Sequence, residues 1–81
     1  MRLLYFAALR ERLGCASEDL ALPEGVVDVA GLLGLLRSRG GVWEQALATR
    51  FRVAVNQQMA QPGTPLADAD EVALFPPVTG G

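Results

Sequence analysis

The feature that most constrains the fold is a pair of β-strand patterns at the two ends of a short chain. Residues 2–8 alternate so that Leu3, Tyr5 and Ala7 share one face, and residues 71–75 form the last alternating segment. A right-handed helical crossover between two such strands places them parallel to each other. The sequence therefore predicts a mixed sheet whose first and last strands lie parallel in its middle, with a helix on one face.

The segment between these strands predicts one main helix and several shorter elements. Asp28 is suited to cap the N-terminus of the helix, and Val29, Leu32, Leu33 and Leu36 form its buried stripe. The remaining predicted elements are a helical turn at residues 9–13, a short helix at residues 43–48, and strands at residues 17–22, 51–57 and 58–61.

Two glycines lower the intrinsic stability of the main helix. Gly31 and Gly34 each cost it roughly 1 kcal/mol relative to Ala. The helix must therefore be held by packing against the sheet, and we expect the glycines to allow close approach between the two layers.

The predicted elements define an α+β fold with a mixed sheet of about five strands and one main helix packed on one face. Because the chain has only 81 residues, it forms one domain. On the face without the helix, Phe6 and Phe75 are expected near each other, with Met59 at the margin. Such an exposed apolar patch is suited to a partner protein. Two unrelated surface aromatics remain the alternative.

The C-terminus is the most unusual part of the chain, since it ends in an uncharged segment stiffened by proline. Pro76 and Pro77 lack an N–H group, so they stop the preceding strand and hold the following residues extended. Gly80 and Gly81 give a thin tip with a free carboxylate, which can enter a narrow channel in another protein. A frayed chain end is the alternative that this shape alone leaves open.

Composition excludes several classes of function. The chain has a net charge of −2 and no basic run, so nucleic-acid binding has no electrostatic support. One cysteine, Cys15, and no histidine exclude an internal disulfide and a Cys/His metal site. No run approaches the length of a membrane span, and no cationic leader is present. We expect a soluble cytoplasmic protein that binds no metal, nucleic acid or membrane.

Motifs along nearly the whole chain resemble the small, sulfur-carrier subunit of molybdopterin synthase, a family with the ubiquitin-like β-grasp fold. The C-terminal Pro-Pro-Val-x-Gly-Gly pattern is the most specific of them. The family commonly has Gly where this chain has Ala69, so either Ala69 holds a positive φ or the turn differs. The motifs are Tyr5-Phe6-Ala7, Leu9-Arg10-Glu11, Ala54-Val55-Asn56-Gln57, Pro65-Leu66 with Asp68, Asp70-Glu71-Val72 and Phe75-Pro76-Pro77-Val78-Thr79-Gly80-Gly81.

The resemblance implies a carrier that is not an enzyme on its own. An ATP-dependent, E1-like adenylyltransferase would adenylate the carboxylate of Gly81, and sulfur transfer would convert it to a thiocarboxylate. The carrier would then donate its sulfur to cyclic pyranopterin monophosphate inside the large synthase subunit, in a heterotetramer of two small and two large subunits. ATP would be used by the activating enzyme, and the chain itself would bind no cofactor.

The resemblance also assigns roles to individual residues. It implies a β-grasp domain over residues 1–76 and an extended carrier arm over residues 77–81. Gly81, supported by Gly80, would carry the reacting carboxylate. The residues that it implies contact partners are Phe6, Arg10, Met59, Phe75, Pro76, Pro77, Val78 and Thr79.

Three other functions remain open on the sequence. The sulfur carrier of thiazole synthesis shares the fold, the Gly-Gly end and the activation chemistry, although the Phe-Pro-Pro-Val segment favours the molybdopterin branch. A ubiquitin-related modifier that tags lysines of other proteins is the second, and an interaction domain with an inert arm is the third. For Cys15, a loop thiol without a role in sulfur chemistry is the favoured interpretation.

Overall fold

Within residues 1–77, five strands form one mixed sheet, and three helices pack on one of its faces. The computed structural model describes residues 1–77, so Val78, Thr79, Gly80 and Gly81 lie outside the described residues. In chain order the elements are β1 (Arg2–Tyr5), α1 (Ala7–Leu13), β2 (Ser17–Asp19), α2 (Val29–Arg37), α3 (Val42–Leu47), β3 (Arg52–Val55), β4 (Gln58–Met59) and β5 (Glu71–Phe75).

The sheet has the strand order β2-β1-β5-β3-β4. The first and last strands are central and parallel, with Leu3 opposite Val72 and Tyr5 opposite Leu74, whereas the other pairs are antiparallel. This arrangement confirms the central parallel pair that the end-to-end pattern predicts. It places the C-terminal end of β5 in the interior of the sheet, beside the C-terminal end of β1.

Helix α2 covers the inner face of the sheet as its apolar stripe predicts. The Asp28 carboxylate accepts a hydrogen bond of 2.9 Å from the Gly31 N–H, which confirms the predicted N-cap. Val29, Leu32 and Leu36 are buried and join the core with the inward residues of β1 and β5. Packing of this stripe stabilises a helix whose own propensity is weak.

The two glycines of α2 do not bring the helix closer to the sheet. A Cβ at Gly31 would meet the Asp28 Oδ1 at 3.3 Å and Val26 in the preceding loop, whereas a Cβ at Gly34 would meet nothing within 4 Å. Gly34 is exposed. The expectation of close approach was therefore wrong, because the glycines lie on the sides of α2 that the core does not use.

Gly34→Ala is expected to stabilise the protein. The methyl group has open space, and the helix gains about 1 kcal/mol of propensity. For a domain of this size we expect the melting temperature to rise by about 4 to 8 °C, measured by thermal unfolding followed by circular dichroism. Gly31→Ala is the matched control and should gain less, because its methyl group crowds the capping carboxylate. Equal gains for the two variants would contradict this account.

Several strands end earlier than alternation alone predicts. The first strand was predicted to run to residue 8, but β1 ends at Tyr5 and Ala7 opens α1 with a φ of +53°. Ala7 is consequently exposed instead of sharing the buried face of Leu3 and Tyr5. The third strand stops at Val55, because Asn56 and Gln57 both adopt positive φ and form the tight turn into β4. Strands β2 and β4 are also shorter than the predicted strands at residues 17–22 and 58–61, because they end at Asp19 and Met59.

A polar cluster ties the β2 edge of the sheet to the helical layer. The Tyr5 hydroxyl donates to Glu18 Oε1 at 3.0 Å, and Arg39 Nη1 lies 2.9 Å from the same oxygen. The Arg39 guanidinium also lies 4.3 Å from the centre of the Trp43 ring, which packs edge-on against Tyr5. Burial is the larger cause and the neighbouring Glu18 carboxylate the smaller cause of a raised pKa at Tyr5. This hydroxyl therefore remains protonated and donates a hydrogen bond at physiological pH.

A second hydrogen-bonded cluster joins the turn before β5 to the β3–β4 hairpin. The Asp70 carboxylate accepts hydrogen bonds from the Ala67 N–H at 2.8 Å and from the side-chain Nδ2 of Asn56 at 3.0 Å. The side-chain Oδ1 of Asn56 in turn accepts a hydrogen bond from the Glu71 N–H. The Asn56 and Ala67 hydrogen bonds hold the pKa of Asp70 below its usual value. Ala69 is not among the residues with positive φ, so the turn that commonly uses glycine in the resembled family has a different geometry here.

Candidate partner-binding face and arm root

The face of the sheet opposite the helices carries a row of small and apolar side chains. Residues that pair in register share a face, so Leu4, Ala73, Ala54 and Met59 form one row across four neighbouring strands. Met59 is 58% exposed. Ala54 was named from the sequence only as part of a motif and not as a contact residue, although the alternation of β3 contained the signal. We call this surface, together with Phe6 and Phe75, the open face.

The structure brings the two predicted phenylalanines to the same end of the open face. The Phe6 N–H donates to the Leu74 carbonyl at 3.1 Å, which continues the β1–β5 pairing and places Phe6 beside Phe75. Phe6 is 46% exposed, and Phe75 is half-buried opposite Arg52 of β3. Two aromatic rings at the end of an apolar row make a surface suited to a protein partner.

Arg10 lies one helical turn after Phe6, at the same end of the sheet. Helix α1 begins directly after Phe6, and the Arg10 N–H donates to the Phe6 carbonyl at 3.4 Å. The Arg10 side chain is exposed and takes part in no ion pair within residues 1–77. A guanidinium in this position can pair with a carboxylate of a partner that covers the two phenylalanines.

The arm leaves the sheet from this same end. Strand β5 stops at Phe75, and the half-buried Pro76 and Pro77 follow, as their missing N–H groups require. The carrier tip predicted at Val78, Thr79, Gly80 and Gly81 lies outside the described residues. Within the described part, the root of the arm and the predicted contact residues Phe6, Arg10 and Phe75 therefore lie together, while Met59 lies three strands away from β1 on the same face.

Two features that often mark a catalytic centre, an activated thiol and a metal site, are not found among residues 1–77. Burial and, after it, the Glu18 carboxylate raise the pKa of the Cys15 thiol, so it is protonated and weakly nucleophilic at neutral pH. Among residues 1–77, no group of three or more His, Cys, Asp or Glu side chains is placed to hold a metal ion. No helix in the same range is long and apolar enough to cross a membrane. What the arrangement can do is bind a partner and present a chain end.

Comparison with known proteins agrees with this picture. The model of the ThiS family matches residues 3–81. The molybdopterin synthase sulfur carrier subunit of Escherichia coli is 37% identical over an alignment that covers 100% of this chain and 99% of that protein.

Solved structures with the same architecture come from two archaea. A structure described as putative molybdopterin converting factor, subunit 1, from Pyrococcus furiosus has a TM-score of 0.78 and 29% identity, with 95% of each chain covered. The small archaeal modifier protein 1 of Haloferax volcanii has a TM-score of 0.75 and 28% identity, with 96% of this chain and 97% of that chain covered. These likenesses confirm the predicted α+β, ubiquitin-like β-grasp architecture.

Proposed function

The chain belongs to the ThiS family, and from that premise we propose that it is the sulfur-carrier subunit of a molybdopterin synthase. The observation that supports this most strongly is the end-to-end match to a protein of that name. The Gly80-Gly81 end of this chain is consistent with the same function. The geometry supports it as well, because the arm root, Phe6 and Phe75 lie at one end of an exposed apolar face.

The proposed chemistry takes place at the carboxylate of Gly81. A carboxylate is a poor acyl donor, so an E1-like enzyme adenylates it with ATP and releases pyrophosphate. A sulfur nucleophile of sulfide oxidation level then displaces AMP and leaves a thiocarboxylate, whose sulfur is ionised and nucleophilic at neutral pH. Among residues 1–77 there is neither an activated thiol nor a metal-ligating cluster, and we assign ATP binding and the catalytic groups to the partners.

The large synthase subunit is the proposed acceptor of the loaded arm. There the thiocarboxylate sulfur forms a bond to a carbon of cyclic pyranopterin monophosphate as an oxygen substituent leaves that carbon. Water then hydrolyses the acyl–sulfur bond and restores the carboxylate, and two such deliveries supply both sulfurs of the dithiolene. We propose a heterotetramer of two small and two large subunits in the cytoplasm. The open face, with Phe6, Met59 and Phe75, binds the partner, and Arg10 pairs with a partner carboxylate at the edge of the contact.

The experiment that tests the carrier function is intact-protein mass spectrometry of the loaded chain. After incubation with ATP, the E1-like enzyme and a sulfur source, we expect the mass to increase by the difference between one sulfur and one oxygen. Fragmentation should place that increase at Gly81. A mass that stays unchanged with an activating enzyme of proven activity would contradict the proposal.

A second function is favoured by one specific observation, the likeness to small archaeal modifier protein 1. In that case the activated carboxylate would form an isopeptide bond with a lysine of another protein, with AMP as the leaving group. Conjugates of higher mass that resist reducing agents and require Gly81 would show this function. The same activated intermediate serves both outcomes, so the two functions differ in the nucleophile that attacks it.

A further inference from the structure

A groove beside the open face runs between helix α2 and the β3–β4 hairpin. Its volume is about 350 Å³. Val29 and Leu33 line it from α2, Phe51 and Val53 line it from the segment that enters and forms β3, and Ala60 lines it after β4. Val53 and Val29 are buried and the other three are half-buried, so the floor of the groove is apolar.

The charged side chains that line this groove in the described part of the chain are both positive. Arg50 and Arg52 both line it, and its lining contains no Asp or Glu. Both arginines are exposed, and neither forms an ion pair within the part of the chain that the structure describes. The chain as a whole is acidic, with a net charge of −2, so two unpaired guanidinium groups beside an apolar floor are a local reversal of its charge. Such a site favours a ligand that combines carboxylates with apolar side chains.

The groove also borders the surfaces already described. Met59 lines the groove and belongs to the open face, and Pro77, at the root of the arm, lines it as well. A partner that binds the arm and the open face can therefore continue along the groove within the same interface. An extended segment fits this geometry better than a small ligand, because the groove is continuous with exposed surface at Met59.

We propose that this groove binds an extended segment of a partner protein that alternates acidic and apolar side chains. The apolar side chains lie on Val29, Leu33 and Phe51, and the carboxylates pair with Arg50 and Arg52. The proposal concerns recognition by the folded domain, so it holds or fails independently of the sulfur chemistry at Gly81.

The test is a titration of the full-length, isotope-labelled chain with an acetylated and amidated peptide of four Asp-Leu repeats, followed by amide chemical shifts. We expect the largest shifts at Leu33, Phe51 and Ala60, with small shifts at Leu4 and Ala73 on the open face. The double variant Arg50→Gln/Arg52→Gln should bind the peptide about fivefold more weakly, since two exposed ion pairs are lost. Raising the salt concentration should weaken binding to the wild-type chain more than to the variant.

Three controls sharpen the test. Arg2→Gln/Arg12→Gln removes the same charge from exposed positions away from the groove and should bind as the wild type does. Arg50→Lys/Arg52→Lys keeps the charge and should retain most of the affinity. A peptide of four Lys-Leu repeats should give no shifts in the groove. A dispersed amide spectrum verifies that each variant is folded.

Several results would overturn the proposal. They are the absence of shifts in the groove, equal shifts with the Lys-Leu peptide, and equal loss of affinity in the two glutamine variants. A further one comes from a chain that lacks residues 78–81. The groove resonances of this truncated chain can differ from those of the full chain, and its affinity for the peptide can be higher. That result would mean that the chain's own C-terminus, and not a partner segment, occupies the groove.

Discussion

Loss of Gly81, or its replacement by Ala, is expected to abolish sulfur transfer and leave the stability of the fold unchanged. Removing the residue places the terminal carboxylate about 3.4 Å short of its position, the length of one extended residue. A displacement of about 1 Å can already cost roughly a hundredfold in rate. Replacement by Ala adds a methyl group at the tip, which must enter the narrow sites of two different partners. We therefore expect at least about a hundredfold less thiocarboxylate and less molybdopterin.

Mass spectrometry of the loaded chain and a molybdopterin assay measure the two steps separately. Gly63→Ala is the matched control, because it makes the same chemical change at an exposed turn where a Cβ meets nothing within 4 Å and φ is not positive. That variant should transfer sulfur normally. Thermal unfolding should give the same melting temperature for both variants as for the wild type. A loss of stability on changing Gly81 would mean that the tip makes contacts with the domain, and normal transfer by the Gly81 variants would refute a reaction at this carboxylate.

Phe75→Ala and Leu74→Ala are expected to have opposite effects, although the two residues are neighbours in β5. Phe75 faces the open face, where a truncated aromatic anchor costs about tenfold or more in affinity for a partner. Leu74 faces the core and is fully buried, so its truncation costs about 2 to 5 kcal/mol of the free energy of unfolding. A domain of this length has only about 4 to 12 kcal/mol in total, and Leu74→Ala therefore removes a large share of it.

Two measurements rank the variants. Calorimetry gives the affinity for the large synthase subunit, and urea unfolding of the isolated chain gives the free energy of unfolding. Phe75→Ala should bind weakly and remain close to wild type in stability, because Phe75 is only half-buried. Leu74→Ala should be much less stable, and its folded fraction should bind with nearly normal affinity. If Phe75→Ala were the more destabilising of the two, Phe75 would belong to the core and the open face would lose its central contact.

Much of the fold could be predicted because it depends on patterns within short segments. The last strand was predicted with its observed bounds, Glu71–Phe75, and the Asp28 cap and the buried stripe of α2 follow from spacing in the same way. The central parallel pair followed from one topological rule applied to the two ends of the chain. The ends of β1 and β3 were predicted less well, because the left-handed residues Ala7 and Asn56 that lie just beyond them are not glycines.

In the candidate site as well, features that depend on local patterns could be predicted, and features that join separate elements could not. The residues of the open face follow from alternation, and their proximity follows from the parallel pairing of β1 and β5. The groove beside Arg50 and Arg52 was not predicted, because its walls come from α2, β3 and the segment after β4. The contact of Glu18 with Tyr5 and Arg39 was missed for the same reason, since it joins residues from separate elements.

The sequence by itself determined the order of the elements, most of the residues that face the core, and the residue types of the C-terminal segment, which finishes in Gly80 and Gly81. These properties depend on local periodicity and on residue type. The tertiary structure alone decided where the strands stop, how the open-face side chains of different strands line up in one row, and which arginines lie beside an apolar groove. The reason is that such contacts join residues far apart in the chain, and their distances are set by strand register and by the packing of helices on the sheet.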